Sequence, residues 1–301
     1  MASLYTHKES NIRKTWFLFT TFLLIVIGLG WIFSYLFDSS AILIFAVIFS
    51  SLMAIISYWH SDKIVLAMTQ AVPVEREDNP ELYNIVENLA ITAGLPTPKI
   101  YLVNEAAPNA FATGRDPKHS VLAVTKGLLE RLDRSELEGV ISHELAHIGD
   151  RDMLLSTAVV VLVGFISLIS DMFLRSMFWG RGSRRSREDS GGGLIFLLIG
   201  MVLAILAPLA ASLMRLAISR KREFLADASG ALLTRYPEGL ARALEKISAD
   251  STPMRVANNT TSHLWIDDPF KGKSRTSWFH KLFMTHPPVE ERIKALRDMS
   301  I

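Results

Sequence analysis

Four long apolar blocks constrain how this chain can fold more than any other feature of its sequence. They cover residues 15–37, 41–59, 153–174 and 194–214. Each is close to the roughly 20 residues that an α-helix needs to cross the hydrocarbon core of a bilayer. Half of the 301 residues are hydrophobic and the mean hydropathy is +0.27, which also favours a membrane protein. We therefore predict an α+β membrane protein with about four transmembrane helices and a mainly helical soluble domain that contains a small β-sheet.

The residues that flank these blocks predict how the chain is oriented. Lys8, Arg13 and Lys14 precede the first block, and basic residues accumulate on the cytoplasmic side of membrane proteins. Residues 60–152 and 215–301 are therefore expected in the cytoplasm. The loop between the third and fourth blocks is also rich in arginine, which conflicts with this rule, so full crossing by these two blocks stays open. A cleaved signal peptide is a disfavoured alternative for the first block, because signal peptides have shorter apolar regions.

The blocks divide the chain into four parts. We predict a transmembrane hairpin at 1–59, the first part of a cytoplasmic domain at 60–152, a second hydrophobic hairpin at 153–214 and the second part of the domain at 215–301. The net charge of +2 argues against a general polyanion binder, and we find no nucleic-acid module in the sequence. The chain has no cysteine, so a zinc ion would have to be held by histidine and carboxylate side chains.

The polar segments show helix and strand patterns. Helices are expected at 79–93, around 128–129, and at 224–233, 239–247 and 289–299; strands are expected at 99–103 and 121–124. Residues 109–113 predict a further, exposed strand. Ser135 and Glu138 predict a capping box at the start of a helix that contains His143 and His147. No clear breaker separates this helix from the third apolar block.

That helix carries the sequence His143-Glu144-x-x-His147. Residues four apart lie on one helix face with Cβ atoms about 5–6 Å apart, so both imidazoles can reach one zinc ion. Glu144 projects in a neighbouring direction, where it can hydrogen-bond a zinc-activated water without being a ligand. It can then act as general base and hand the proton to a leaving amine, which is peptide hydrolysis. The alternative is that the motif arose by chance on an amphipathic helix.

A third zinc ligand is expected after the fourth apolar block. Glu223 lies on a predicted helix there, and Asp227, one turn later, is placed to accept a hydrogen bond from a ligand histidine. The alternative for both is an acid pair on a helix surface. His147 lies six residues before the third block and Glu223 nine residues after the fourth. A hairpin of these blocks would therefore bring the ligands together close to the membrane.

His143-Glu144-x-x-His147 and Arg222-Glu223-x-x-Ala226-Asp227, flanked by hydrophobic hairpins, resemble the HtpX family of bacterial membrane zinc proteases, which are relatives of the CAAX prenyl endopeptidase. The stretches PNAFATG at 108–114 and THPPVEERI at 285–293 also match, so the resemblance covers nearly the whole chain. It implies a gluzincin-type protease domain with one Zn²⁺ per chain. The implied zinc ligands are His143, His147 and Glu223, and the implied base is Glu144.

The same resemblance implies how a substrate is held. An edge strand that includes Asn109, Ala110, Phe111 and Ala112 would pair with the substrate backbone. Asn109, His286 and Arg292 would line the cleft and stabilise the tetrahedral oxyanion. From the residues alone, a structural role for His286 before its Pro-Pro helix start fits equally well.

The role implied by the resemblance is quality control in the bacterial inner membrane. A multi-pass enzyme with its protease domain in the cytoplasm would cut misfolded or damaged membrane proteins and unfolded polypeptides, often under stress, and would also cleave itself. A prenyl-protein processor is disfavoured, because four spans cannot enclose the large chamber that the resemblance attributes to that relative. A non-enzymatic zinc-binding membrane scaffold is the other alternative; it would require loss of the base, yet Glu144 is present.

Overall fold

The computed structural model describes residues 4–180, 219–258, 260–270 and 287–299 of the chain. Within these ranges the helices are α1 (Leu4–Leu36), α2 (Ser40–Trp59), α3 (Ser61–Met68), α4 (Pro80–Thr92), α5 (Lys126–Arg131), α6 (Arg134–Gly149), α7 (Asp152–Gly180), α8 (Arg220–Thr234), α9 (Pro237–Ala249) and α10 (Val289–Arg297). The strands are β1 (Val72–Pro73), β2 (Lys99–Val103), β3 (Ala110–Gly114) and β4 (Ser120–Thr125). The described part of the chain is mainly helical with a small sheet, as the sequence predicts.

The four strands form one mixed sheet in the order β1-β2-β4-β3. β2 and β4 are parallel, whereas β1 and β3 each run antiparallel to their neighbour. β3 therefore lies at an edge, but all five of its residues are buried, so the expectation of an exposed strand at 109–113 is wrong. The reason is that both sheet faces are covered: one packs on α4 and α6, the other on α3, α7 and the segment around Trp265.

Among the described helices, α1 and α2 are the two that are long and apolar enough to span a membrane. They coincide with the first two apolar blocks and are joined by a tight turn in which Asp38 is left-handed, with φ 48°. A Cβ atom on Gly30 would lie 2.3 Å from Cβ of Ala46, so this glycine lets the two helices approach closely. Large side chains such as Phe17 and Phe45 are exposed, which suits a lipid environment.

The third apolar block falls in α7, whose first half is buried by the protein itself. Leu155, Ala158, Val159, Leu162 and Val163 pack against Leu18, Phe19 and Phe22 of α1. Val160 packs on the sheet. The apolar composition of this half therefore reflects packing within the protein. The fourth block and the arginine-rich loop before it lie outside the described residues, so two of the four predicted spans are supported.

The helix that carries both histidines begins and ends differently from the prediction. Its capping box is formed by Asp133 and Glu136, not by Ser135 and Glu138: each of the first pair accepts a hydrogen bond from the other's backbone N–H, at 3.0 and 2.9 Å. Aspartate is as good an N-cap as serine, and the Ser135 hydroxyl donates to Asp133 instead. At the other end, Arg151 has φ 57° and separates α6 from α7, so the expected absence of a breaker is also wrong.

The close approach of α8 to α6 depends on Gly230. A Cβ atom there would lie 2.9 Å from the backbone N of His143 and 3.0 Å from Oγ of Ser142. We expect Gly230→Ala to push the helices apart and to lower the free energy of unfolding by about 1–3 kcal/mol, as overpacking does. Thermal unfolding of the detergent-solubilised protein measures this loss. In the control Gly149→Ala the nearest atom lies at 3.9 Å, so an equal loss there would contradict this explanation.

Candidate metal centre

Three side chains from α6 and α8 converge on one point. Nε2 of His143 and Nε2 of His147 lie 3.2 Å apart. The carboxylate oxygens of Glu223 lie 3.9 Å from the first nitrogen and 3.7 Å from the second. In a tetrahedral zinc site with bonds of about 2.0–2.1 Å, neighbouring ligand atoms are separated by about 3.3 Å. The three residues predicted as ligands are thus brought together at distances that fit one zinc ion.

His143 is oriented by a buried chain of charges. Its Nδ1 lies 2.9 Å from Oδ1 of Asp227. Arg292 donates to both oxygens of that carboxylate, from Nε at 2.8 Å and from Nη2 at 2.7 Å. Burial alone raises the pKa of Asp227, but the charge and hydrogen bonds of Arg292, together with His143, lower it to about 2. The ionised Asp227 can therefore hold the Nδ1 proton of His143, which leaves Nε2 for a metal.

His147 has an equivalent partner, Asp152, which the sequence did not single out. Nδ1 of His147 lies 3.3 Å from Oδ2 of Asp152, and Nη1 of Arg222 donates to Oδ1 at 3.1 Å. Burial lowers the pKa of His147, but the hydrogen bond to Asp152 and the nearby charges of Glu223, Asp152 and Glu144 raise it to about 9. At neutral pH a proton on His147 therefore competes with a metal ion, and metal binding has to release it.

Glu144 lies beside the ligands and is almost completely enclosed. Its exposed fraction is 2%. Burial raises the pKa of its carboxyl above the ordinary value, although the charges of His143, His147 and Arg292 oppose this shift. A carboxyl group with a raised pKa accepts a proton more readily than a solvated one, which suits a general base.

The ligands and Glu144 line a cavity of about 40 Å³. This volume admits a few water molecules but not a peptide. Besides the ligands, the lining includes Ala112 of β3, Asp152 and four consecutive residues: His263, Leu264, Trp265 and Ile266. The segment 263–266 thus closes the side of the cavity next to the sheet edge.

The outer edge of β3 is partly occupied by this same segment. The carbonyl of Asn109 accepts from the backbone N–H of Thr125, so by the alternation of an antiparallel pair Ala110 and Ala112 turn their backbone groups to the open edge. There, the N–H of Ile266 donates to the carbonyl of Ala110 at 3.0 Å. Of the strand residues predicted to bind substrate, Ala112 is the one that lines the cavity.

Phe111 points to the opposite face of the sheet. Its ring packs edge-to-face on Trp265, with ring centroids 4.8 Å apart and an interplanar angle of 78°. Any contact of this strand with a polypeptide at the cavity would therefore come from backbone groups and from Ala112, not from the Phe111 ring.

Asn109 and Arg292 were both predicted to line the cleft, but their side chains lie behind the lining of the cavity. Nδ2 of Asn109 donates to the carbonyl of Asp267 at 3.0 Å, and its Oδ1 accepts from the N–H of Ala110 at 3.1 Å. Arg292 is fully buried and also donates to the carbonyl of Ile266 at 3.1 Å. Neither side chain lines the cavity, although Nη1 of Arg292 also lies 3.6 Å from Oε2 of Glu223.

Two further histidines, His286 and His263, bear on the predicted site in different ways. His286 lies outside the described residues. His263, which the sequence did not single out, lines the cavity, and its Nε2 lies 3.2 Å from the carbonyl oxygen of Ser156. No periodic pattern marks the irregular segment around His263, so local sequence gave no signal for it.

Comparisons with known proteins agree with this geometry. Residues 76–300 match the family model described as peptidase family M48. The chain is 47% identical to a protease HtpX homolog of Thermoanaerobacter pseudethanolicus over 99% of both sequences, and 43% identical to one of Tropheryma whipplei over 98% of both. Its fold is similar to the crystal structure of S. mikatae Ste24p, with a TM-score of 0.50 and 20% identity, covering 95% of this chain and 67% of that one.

Proposed function

The chain belongs to peptidase family M48 and is a metalloprotease, and we propose that it is a zinc-dependent endopeptidase that hydrolyses polypeptides at a membrane surface. The observation that carries the proposal is the convergence of His143, His147 and Glu223 beside the buried Glu144. The donor set of two imidazoles and one carboxylate is typical of catalytic zinc, because it leaves one tetrahedral position open.

The proposed reaction assigns one task to each group. A bound zinc ion supplies Lewis acidity, which makes water more acidic and polarises a carbonyl group. Glu144 takes a proton from the water whose oxygen attacks the carbonyl carbon of the scissile peptide. It passes that proton to the amine nitrogen as the C–N bond breaks, which yields a new carboxyl terminus and a new amino terminus. Asp227 and Asp152 hold the Nδ1 protons of the two histidines throughout.

We infer that the substrate binds as an added strand at the open edge of β3. The backbone of Ala112 faces that edge and its side chain lines the cavity. Because Ile266 occupies the carbonyl of Ala110 and the cavity holds only a few waters, the segment 263–266 has to move before a peptide fits. Pairing through backbone groups gives affinity with loose sequence preference, which suits unfolded polypeptides.

The position of the site relative to α1 supports membrane-protein substrates. Asn11, close to the start of α1, contacts Asp150 and Asp152 next to the ligand helix. The apolar part of α1 follows directly, after Arg13 and Lys14. We therefore propose a multi-pass protein of the bacterial inner membrane whose protease domain faces the cytoplasm. It would cut misfolded or damaged membrane proteins, and copies of itself.

A gel time course tests the proposed function. The detergent-solubilised protein is purified in chelator and incubated with an unfolded protein such as casein, before and after zinc is added. We expect cleavage of casein, of the protease itself, or of both, only after zinc is added, because the ligand set is complete within one chain. Binding of one zinc per chain without any cleavage would favour the scaffold alternative. Cleavage of casein, which carries no prenyl group, would argue against a dedicated prenyl-protein processor.

A further inference from the structure

Asn11 of the membrane helix α1 lies next to the metal centre, although the sequence gives no reason to connect the two. Its side chain is buried, with an exposed fraction of 2%. Nδ2 donates to the carbonyl of Asp150 at 3.1 Å and also to Oδ1 of Asp152. The other oxygen of Asp152 lies 3.3 Å from Nδ1 of His147. One carboxylate therefore stands between a membrane helix and a predicted zinc ligand.

We propose that Asn11 is a positioning residue of the metal centre, which fixes the Asp152 carboxylate so that its second oxygen holds Nδ1 of His147. The inference rests on the proposed zinc site and extends it to the membrane helix. Outer partners of a ligand histidine set its ring orientation and tautomer, and hence its affinity for the metal.

The break between α6 and α7 explains why this carboxylate needs support from outside. The backbone of Arg151 is in the left-handed region, so Asp152 starts a new helix. The direction of the Asp152 side chain is therefore not set by the helix that carries His147. Asn11 binds on both sides of the break, at Asp150 and at Asp152. A side-chain amide has two N–H donors on one nitrogen, and both are used here. A serine or threonine hydroxyl, with one donor, could not make both bonds.

Asn11 and Arg222 share the support of Asp152. Nη1 of Arg222, from α8, donates to the same Oδ1 that accepts from Asn11, at 3.1 Å. With both donors on Oδ1, Oδ2 stays directed at His147. The guanidinium balances the charge of the buried carboxylate, and the amide adds a second direction from which the carboxylate is held.

Packing between the helices keeps Asn11 in place. In the turns that follow it, Leu18, Phe19 and Phe22 of α1 are buried against Leu155, Ala158 and Leu162 of α7. A shift of α1 along α7 would therefore carry Asn11 away from Asp152. In this way the position of a membrane helix determines the geometry around a zinc ligand.

The competing interpretation is that Asn11 only caps the carbonyl of Asp150 and holds the two helices together. Zinc affinity of the full-length protein in detergent, measured by competition with a chromogenic chelator, separates the two. Asn11→Leu keeps the size of the side chain but removes both donors, and we expect zinc affinity to fall about tenfold, the lower end of the range for outer partners. Thr15→Val is the control, because the buried Thr15 hydroxyl bonds to the Asn11 carbonyl within α1; it should keep the affinity of the unaltered protein.

A double variant identifies the route of the effect. Asp152→Asn alone should lower zinc affinity about 10–100-fold. Adding Asn11→Leu to it should cause little further loss, since Asn11 acts through Asp152. Unchanged affinity in Asn11→Leu, or losses that multiply fully in the double variant, would overturn the proposal while leaving the proposed function intact. Absence of zinc binding in the unaltered protein would overturn both. If Asn11→Leu does not fold, Asn11→Ala is measured by the same criteria.

Discussion

Replacing Glu144 by glutamine is expected to abolish peptide hydrolysis while leaving zinc bound. Glutamine has the same size as glutamate but cannot take a proton from water at neutral pH. Since one acid–base group contributes about 10²–10⁴-fold to a rate, we expect cleavage of an unfolded protein to slow by about 10³-fold or more. Glu144 is not among the three converging ligands, so elemental analysis should still find one zinc per chain. Because burial already disfavours the charged carboxylate, the neutral amide should not lower thermal stability.

Glu138→Gln is the matched control for this prediction, because it makes the same chemical change on the same helix. Glu138 forms an ion pair with Arg134 at 3.0 Å on the protein surface. Such pairs contribute about 0–1 kcal/mol to the free energy of unfolding, so the cleavage rate of Glu138→Gln should stay close to that of the unaltered protein. Substantial turnover by Glu144→Gln would remove Glu144 from the role of base. Loss of zinc from that variant would instead identify Glu144 as a ligand.

The converging side chains could be predicted because their signals are local. His143 and His147 are four residues apart on one helix, and Glu223 is an acid on a helix just after an apolar block. Asp152 could not be predicted in the same way. Its position depends on a left-handed conformation at Arg151, which a bulky residue rarely adopts and which no sequence pattern signals. Asn11 is 141 residues away from Asp152 in the chain, so only the packing of α1 on α7 brings them together.

The edge strand shows a second limit. Residues 109–113 predicted a strand, and β3 was found at the sheet edge, but period-two alternation does not reveal what covers each face. Here the cover includes Trp265 and Ile266, from an irregular segment with no period of its own. The capping box failed for a different reason. Two overlapping pairs, Asp133 with Glu136 and Ser135 with Glu138, have the same spacing, and local sequence cannot rank them.

Hydropathy correctly predicted the long apolar helices α1 and α2, but it did not show that the first half of α7 is buried by the protein. A helix buried by protein and a helix in lipid both need apolar side chains, so their composition is the same. The difference lies in contacts: Phe17 and Phe45 are exposed, whereas Leu155 and Leu162 are covered by α1. The start of α7 thus joins α1 to the ligand helix, which explains how membrane helices can contribute to the metal centre.

Glu223→Ala is expected to remove the metal from the centre, and activity with it. Without this carboxylate, the two histidines would be the protein ligands left, and a catalytic zinc site usually has three. We expect zinc affinity to fall by more than the about 10–100-fold that loss of an outer partner causes. Chelator competition on the full-length protein measures this fall, and the casein time course measures the loss of hydrolysis.

Two further variants separate a ligand from its supports. Asp227→Asn weakens the partner of His143 but leaves all three ligands, so its loss of zinc affinity should be about 10–100-fold and smaller than that of Glu223→Ala. Glu245 lies on the neighbouring helix α9 and forms an exposed ion pair with Arg297 of α10, so Glu245→Ala should leave zinc affinity unchanged. If Glu223→Ala kept full zinc affinity, α8 would serve only to orient His143 through Asp227. The third ligand would then have to come from another part of the chain.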